Sequence, residues 1–205
     1  MGTFTDGFED CALSNWELSG NPNLSVTCSS ERKHGGTYAC RYYGKGNYQD
    51  GKFIIYVFSQ LAQAVRFTGY IYVEIRDYAY ASCPWLGFSN AGTPFHWVCL
   101  QVWGDNNSYL RLLDDSQLTL SIGIARGSWH LIDFWIEDNK LYMTDNGFPV
   151  ITAQDIKGTL NAEKFWAGIS TAISGEGKWF LDDIELLWNP APITARRFPF
   201  ERMKV

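Results

Sequence analysis

The sequence predicts an all-β protein, a two-sheet antiparallel sandwich over residues 1–188 followed by a C-terminal extended arm over 189–205. Three observations carry this expectation. Apolar and polar residues alternate with a period of two along most of the chain. Gly, Asn and Asp turns separate the alternating runs at short intervals. No heptad, fixed-period repeat or capped amphipathic helix longer than two turns interrupts the pattern.

The elements follow in order. Strands are expected at 24–30, 37–43, 52–58, 65–76, 83–89, 95–103, 108–113, 117–124, 129–137, 140–145, 164–172 and 178–187. "WHLIDFWIEDNKLYMTDNG" reads as a hairpin closed at Asp138-Asn139, with another turn at Asn146-Gly147, because such dipeptides accept the positive φ of tight turns. "TAQDIKGTLNAEK" is the one loop with room for a helical turn. "NPAPITARRFPFERMKV", with three prolines and an Arg/Lys excess, reads as an arm outside the sandwich.

Composition removes several classes of function. A chain of 205 residues buries roughly 70% of its unfolded surface as one domain. At 46% hydrophobic and 16% aromatic it is too apolar for disorder, and its charges interrupt every run that would insert into a membrane. A net charge of -5 argues against a nucleic-acid surface, which needs a surplus of Lys and Arg. "MGTFTDGFED" has no secretory signal, so either a signal has been removed or the protein reaches the outside, or a particle surface, by another route such as lysis.

The five cysteines suggest cross-links. Cys28 and Cys40 flank "ERKHGG" at equal distance from His34, and Cys83 and Cys99 flank "SNAGT" at equal distance from Ala91. Each pair would face across its hairpin, as disulfides or as small buried thiols, and Cys11 is left over. Disulfides would point to an extracellular or particle-surface setting, or to a hyperthermophile cytoplasm.

Two stretches are dressed for a ligand. In "GYIYVEIRD", Ile71, Val73 and Ile75 alternate with Tyr70, Tyr72, Glu74 and Arg76; in "FHWVCLQVWG", Trp97, Cys99, Gln101 and Trp103 share the face opposite Val98, Leu100 and Val102. The turn "GDNNS" then sets Tyr109 opposite Trp103 and Arg111 opposite Gln101, and the preceding hairpin sets Trp85 opposite Trp97. Exposed rings stack on the C-H faces of sugars while Arg, Glu and Gln bond their hydroxyls, so Tyr70, Tyr72, Glu74, Arg76, Trp85, Trp97, Gln101, Trp103, Tyr109 and Arg111 form the candidate glycan face. The alternative is that these rings pack under long loops or against another subunit.

"DGFEDCALSNWELSG", "SERKHGGTYACRY", the 129–147 hairpin and "GKWFLDDIELL" together resemble the concanavalin A-like, laminin-G-like jelly rolls and the β-sandwich carbohydrate-binding modules, over about residues 4–188. The resemblance implies a jelly-roll sandwich. It also implies a structural Ca²⁺ held by Glu9, by backbone oxygens of Lys33 or His34, and by Asp182, all hard oxygen donors; otherwise Glu9 and Asp182 are ordinary surface acids. Its glycosidases carry E-x-D-x-x-E, which Glu74-Ile75-Arg76-Asp77 lacks. Asp133 and Glu137 stand ~13 Å apart along one strand, beyond the ~5–9.5 Å that glycoside hydrolysis uses. Its alginate lyases place a His where this chain has Trp103.

The expectation is therefore a non-catalytic carbohydrate-recognition or adhesion module for a glycan or polysaccharide. The rival is a structural subunit of a virion or extracellular assembly, joined to copies of itself or to other subunits through Arg196, Arg197, Phe198 and Phe200 of the arm. Failing that, the arm folds back over its own sheet.

Overall fold

The computed structural model describes residues 1–76, 82–90, 97–103, 108–113, 122–156 and 158–189, and at 47–50, 75–76, 82–84, 101–103, 108–113, 122–123 and 171–175 the backbone only. The arm positions Arg196, Arg197, Phe198 and Phe200 lie outside the described residues. Among those residues there are thirteen strands and no helix: β1 (Gly2–Asp6), β2 (Glu17–Gly20), β3 (Ser25–Ser29), β4 (Ala39–Ala62), β5 (Val65–Arg76), β6 (Ser82–Ser89), β7 (Trp97–Trp103), β8 (Ser108–Leu113), β9 (Ile122–Ile124), β10 (Trp129–Glu137), β11 (Lys140–Asp145), β12 (Phe148–Asp155) and β13 (Ala162–Trp188). In β10 every second residue is buried, from His130 to Ile136. Asp138 and Asn139 take φ of 51° and 56°, the left-handed pair that closes a two-residue hairpin.

Two antiparallel sheets share two long strands. The first sheet runs β12-β11-β10-β5, then the C-terminal half of β13, which is flanked by β1 and by the N-terminal part of β4; β3 closes it. The second runs β9-β8-β7-β6, the N-terminal half of β13, the C-terminal part of β4, and β2. Both long strands pass from sheet to sheet near Gly46 and Gly175, which pair with each other beside register shifts. Gly46, at φ 120°, supplies a conformation no side-chained residue adopts cheaply. Where the sequence suggested two strands at 37–43 and 52–58, and two at 164–172 and 178–187, there is one continuous strand each time.

The core lies between the sheets. Phe67 of β5 stacks on Phe165 of β13 at 5.2 Å, and Phe88 of β6 on Phe134 of β10 at 5.5 Å, so each ring pair joins one sheet to the other. β12 and the start of β13 bracket the segment expected to hold a helical turn, and none forms among its described residues.

The cysteine pairing differs from expectation. Cys28 and Cys40 are direct ladder partners, yet the disulfide joins Cys28 to Cys11, with Cα atoms 5.2 Å apart. A turn in which the Cys11 amide donates to Phe8 O brings Cys11 alongside β3. Cys40 keeps its thiol in the core, its pKa raised by burial to about 12. Cys99 also carries a thiol and pairs with Gly87, not Cys83, because the β6–β7 hairpin is centred near Thr93, two residues beyond Ala91. The same displacement sets Trp85 opposite Gln101 and gives Trp97 the partner Ser89.

Candidate functional site

The expected glycan face is split between the two sides of the sandwich. Tyr70, Tyr72 and Glu74 lie on β5, in the first sheet; Trp85, Trp97, Gln101, Trp103, Tyr109 and Arg111 lie on β6, β7 and β8, in the second. Among the described side chains, Tyr70, Tyr72 and Glu74 alternate with core residues Ile71 and Val73, and Trp85 and Trp97 alternate with Leu86 and Val98, so these two groups lie on the outer faces of different sheets.

On the first sheet the segment 29–38 covers the tyrosines. The His34 ring stacks on Tyr70 with centroids 3.3 Å apart, and the Arg32 guanidinium lies 5.4 Å from the Tyr72 ring centre while Nε donates to Glu74 at 2.9 Å. Lys178 of β13 reaches both Glu74, at 3.2 Å, and Glu31, which also pairs with Arg41. Burial disfavours the Lys178 charge, but its bonds to Glu31 and Glu74 hold its pKa above the ordinary value. The Arg76 side chain is not described.

Two acids pin the same segment. Asp182, buried, accepts the His34 amide at 2.8 Å and the Gly35 amide at 3.4 Å; Glu9 accepts the amides of Thr37 and Tyr38 at 2.8 and 3.2 Å. Burial raises the Asp182 pKa to about 6 against the pull of those amides. Asp183 also meets the segment, its Oδ2 lying 2.9 Å from His34 Nδ1; Glu9 and Asp182 are the two acids that the resemblance assigned to a metal. Glu9 and Asp182 meet the segment through amide donors, and among the described residues no group of three or more His, Cys, Asp or Glu is gathered tightly enough to hold a metal. Each carboxylate oxygen retains lone pairs beyond those bonds, and Lys33 and His34 carry backbone oxygens in the same turn, so the donor set is of the kind Ca²⁺ accepts.

The second sheet presents a different surface. One ladder row runs Phe53 (β4), Gly168 (β13), Trp85 (β6), Gln101 (β7), Arg111 (β8), and the next runs Ile55, Trp166, Gly87, Cys99, Leu113. Tyr109 stands opposite Trp103, as the turn at 104–107 led one to expect. Five strands at ~4.8 Å spacing make each row ~19 Å long. Trp85 Nε1 donates to Ser170 Oγ at 2.9 Å, its ring 6.4 Å from Trp166, and Trp166 meets Phe53 edge-on at 5.6 Å and 90°. Phe53, Trp85, Trp97 and Trp166 are each part-exposed. Ser89, in the row of Trp97, has a buried hydroxyl without a hydrogen-bond partner among the described residues. Phe53, Trp166 and Ser170 were not among the expected site residues. The backbones of Gln101, Trp103, Tyr109 and Arg111 are fixed by this register, while their side chains are not described.

No family model and no curated protein sequence matches the chain. Among solved structures it is similar to the cellulose-induced protein Cip1, with 14% identity and a TM-score of 0.73 over 90% of this chain and 96% of that one. It is also similar to an endo-β-1,4-glucuronan lyase from the fungus Trichoderma reesei, with 14% identity, a TM-score of 0.62 and 85% and 91% coverage. A third likeness is to the CBM22-1 xylan-binding domain of Paenibacillus barcinonensis Xyn10C, with 10% identity, a TM-score of 0.50 and 92% and 94% coverage. At such identities the likeness establishes the fold alone, an all-β jelly-roll β-sandwich. The neighbours include binding modules and enzymes alike.

Proposed function

We propose that the chain is a non-catalytic carbohydrate-recognition module that holds a polysaccharide across the outer face of its second sheet. The observation that carries this reading is the cluster of part-exposed rings, Phe53, Trp85 and Trp166, in ladder rows continuing to Gln101 and Arg111. Rings for sugar faces beside amide and guanidinium positions for hydroxyls are what such a ligand requires. The non-catalytic part is supported by the engagement of the acids near the other aromatic surface: Glu74 with Arg32 and Lys178, and Asp133 with Arg66. An extracellular setting is supported by the Cys11–Cys28 disulfide.

Xylan and β-1,4-glucuronan, the polysaccharides named for two neighbours, are the first ligands to titrate. Wild type should bind at least one of them in calorimetry, and Trp85→Ala should weaken that binding about tenfold or more. Equal binding by wild type and Trp85→Ala, or turnover of either polymer, would refute the reading.

A structural Ca²⁺ on Glu9, the Lys33 or His34 backbone oxygens and Asp182 belongs to the same proposal, supported by the convergence of both acids on one turn. A cation that binds only the folded chain raises stability by mass action. A chelator should lower the melting temperature of wild type and leave that of Asp182→Ala unmoved; a wild type indifferent to chelator would remove the metal from the reading.

A further inference from the structure

Gly168 of β13 lies between Phe53 and Trp85 in their ladder row. A Cβ placed on Gly168 would stand 2.1 Å from Phe53 Cδ1 and 2.7 Å from Cγ, and one on Gly51 would stand 2.6 Å from Cε2 and Cζ of the same ring. Two glycines, one beside Phe53 and one two residues before it, thus leave empty the positions that opposite edges of the ring occupy. The ring therefore lies between those two glycine positions, close to the main chain, and is part-exposed. Trp166, edge-on at 90°, walls one side of it, and Trp85, tied through Nε1 to Ser170, stands beyond Gly168. The arrangement is unlike Trp135 on the outer face of the first sheet. There the ring is flanked by Tyr142, parallel at 5.1 Å, and by the Arg66 guanidinium at 5.7 Å.

We propose that Phe53 is a second stacking position for a sugar ring, and that the polysaccharide runs along the ladder row, across the strands, from Phe53 to Trp85. This rests on the recognition role proposed above. Phe53 and Trp85 are two strand spacings apart, ~9.6 Å, about the length of a disaccharide unit. An extended β-1,4-linked chain turns the same ring face to one side at every second residue. Its alternate residues would lie on Phe53 and Trp85, with the intervening residue between the two rings. The ligand class is thus a linear β-1,4-linked polysaccharide in extended form, and a disaccharide reaches one ring only.

The test titrates β-1,4-linked gluco- and glucurono-oligosaccharides of two and four residues against wild type, Phe53→Ala, Phe53→Leu, Phe53→Trp and Trp85→Ala, with melting temperatures recorded for each. Wild type should gain about tenfold in affinity from two residues to four, the worth of one added stacked ring. Phe53→Ala and Phe53→Leu should lose that gain, and Phe53→Trp should restore it. Because Phe53→Leu nearly preserves volume, loss of the gain at an unchanged melting temperature separates stacking from folding. A length gain that survives in folded Phe53→Ala or Phe53→Leu overturns Phe53 as a stacking position and leaves the recognition role standing. Failure of wild type to bind either length of either sugar, or binding unaltered in Trp85→Ala, overturns that role and this inference with it.

Discussion

His130 and Asp145 form a symmetric contact, the imidazole Nδ1 lying 3.0 Å from both carboxylate oxygens. Nε2 on the other side is 3.0 Å from Ala125 O and 3.0 Å from Ser128 Oγ. The spacing is that of a hydrolytic triad, but a carbonyl on Nε2 calls for a proton there while a carboxylate calls for one on Nδ1. The doubly protonated ring satisfies both, so Nε2 has no lone pair with which to activate Ser128. A fluorophosphonate probe should leave Ser128 unlabelled.

The same geometry sets a pH dependence. The Asp145 hydrogen bond raises the His130 pKa above its ordinary 6.5 against the opposing effect of burial. A pKa higher in the folded than in the unfolded chain stabilises fully below about 6.5 and is lost as pH rises through the folded value. The stability gap between wild type and His130→Gln, from urea melts, should be widest in mildly acidic buffer at about 1–3 kcal/mol and should narrow toward alkaline pH. A gap that widens with pH would contradict the assigned protonation.

The Cys11–Cys28 bond closes a loop with a sequence separation of 17, worth about 3 kcal/mol in the chain-entropy account. Removing both cysteines should cost roughly 2–3 kcal/mol in urea melts. Removing Cys11 alone leaves Cys28 opposite Cys40, at a cross-strand distance of ~4.5–5.5 Å between Cβ atoms. Oxidised Cys11→Ser should therefore yield a Cys28–Cys40 peptide on non-reducing mapping. In native wild type Cys40 should resist alkylation, since its buried thiol, with a pKa of about 12, supplies almost no thiolate.

Strand bounds could be read from the sequence to the residue at β5, β8, β10 and β11, which stand where alternation and turn dipeptides put them. β4 and β13 could not, because glycines in "GKGNYQDGK" and "STAISGEGK", which punctuate most chains, here let a strand bend from one sheet into the other. The β6–β7 hairpin was centred two residues early in a turn rich in breakers. Since the partner of Trp85 moved by four, an even number, the face was preserved and only the pairing changed. Alternation tells a residue which side of its own sheet it occupies. It says nothing of which sheet owns the strand, and consecutive strands β5 and β6 belong to different ones, which is why Tyr72 and Trp85 were placed together. Phe53 and Trp166 went unseen in "KFIIYVF" and "EKFWAGIS", near-continuous apolar runs in which alternation has no contrast. Their signal was Gly168.

The last prediction separates the two aromatic surfaces. Tyr70 and Tyr72 lie beneath His34 and Arg32, and the segment that covers them is held by Lys178 between Glu31 and Glu74. Removing that cation leaves two carboxylates facing each other across a partly buried site. The cost of Lys178→Ala should be roughly 1–3 kcal/mol, less than breaking a fully buried pair because solvent screens the exposed part of Glu31. Replacing Glu31 by Gln in the same chain relieves the repulsion and should recover part of the loss. Tyr72→Ala should likewise lower the melting temperature, since the ring supports Arg32 and packs 5.4 Å from Trp129. Neither change touches the second sheet, so polysaccharide affinity should stay within about twofold of wild type. Trp85→Ala should show the opposite pair of effects, a small change in melting temperature and a large loss of affinity. If folded Tyr72→Ala abolishes binding while Trp85→Ala retains it, the ligand occupies the first sheet, and segment 29–38 has to open before it enters.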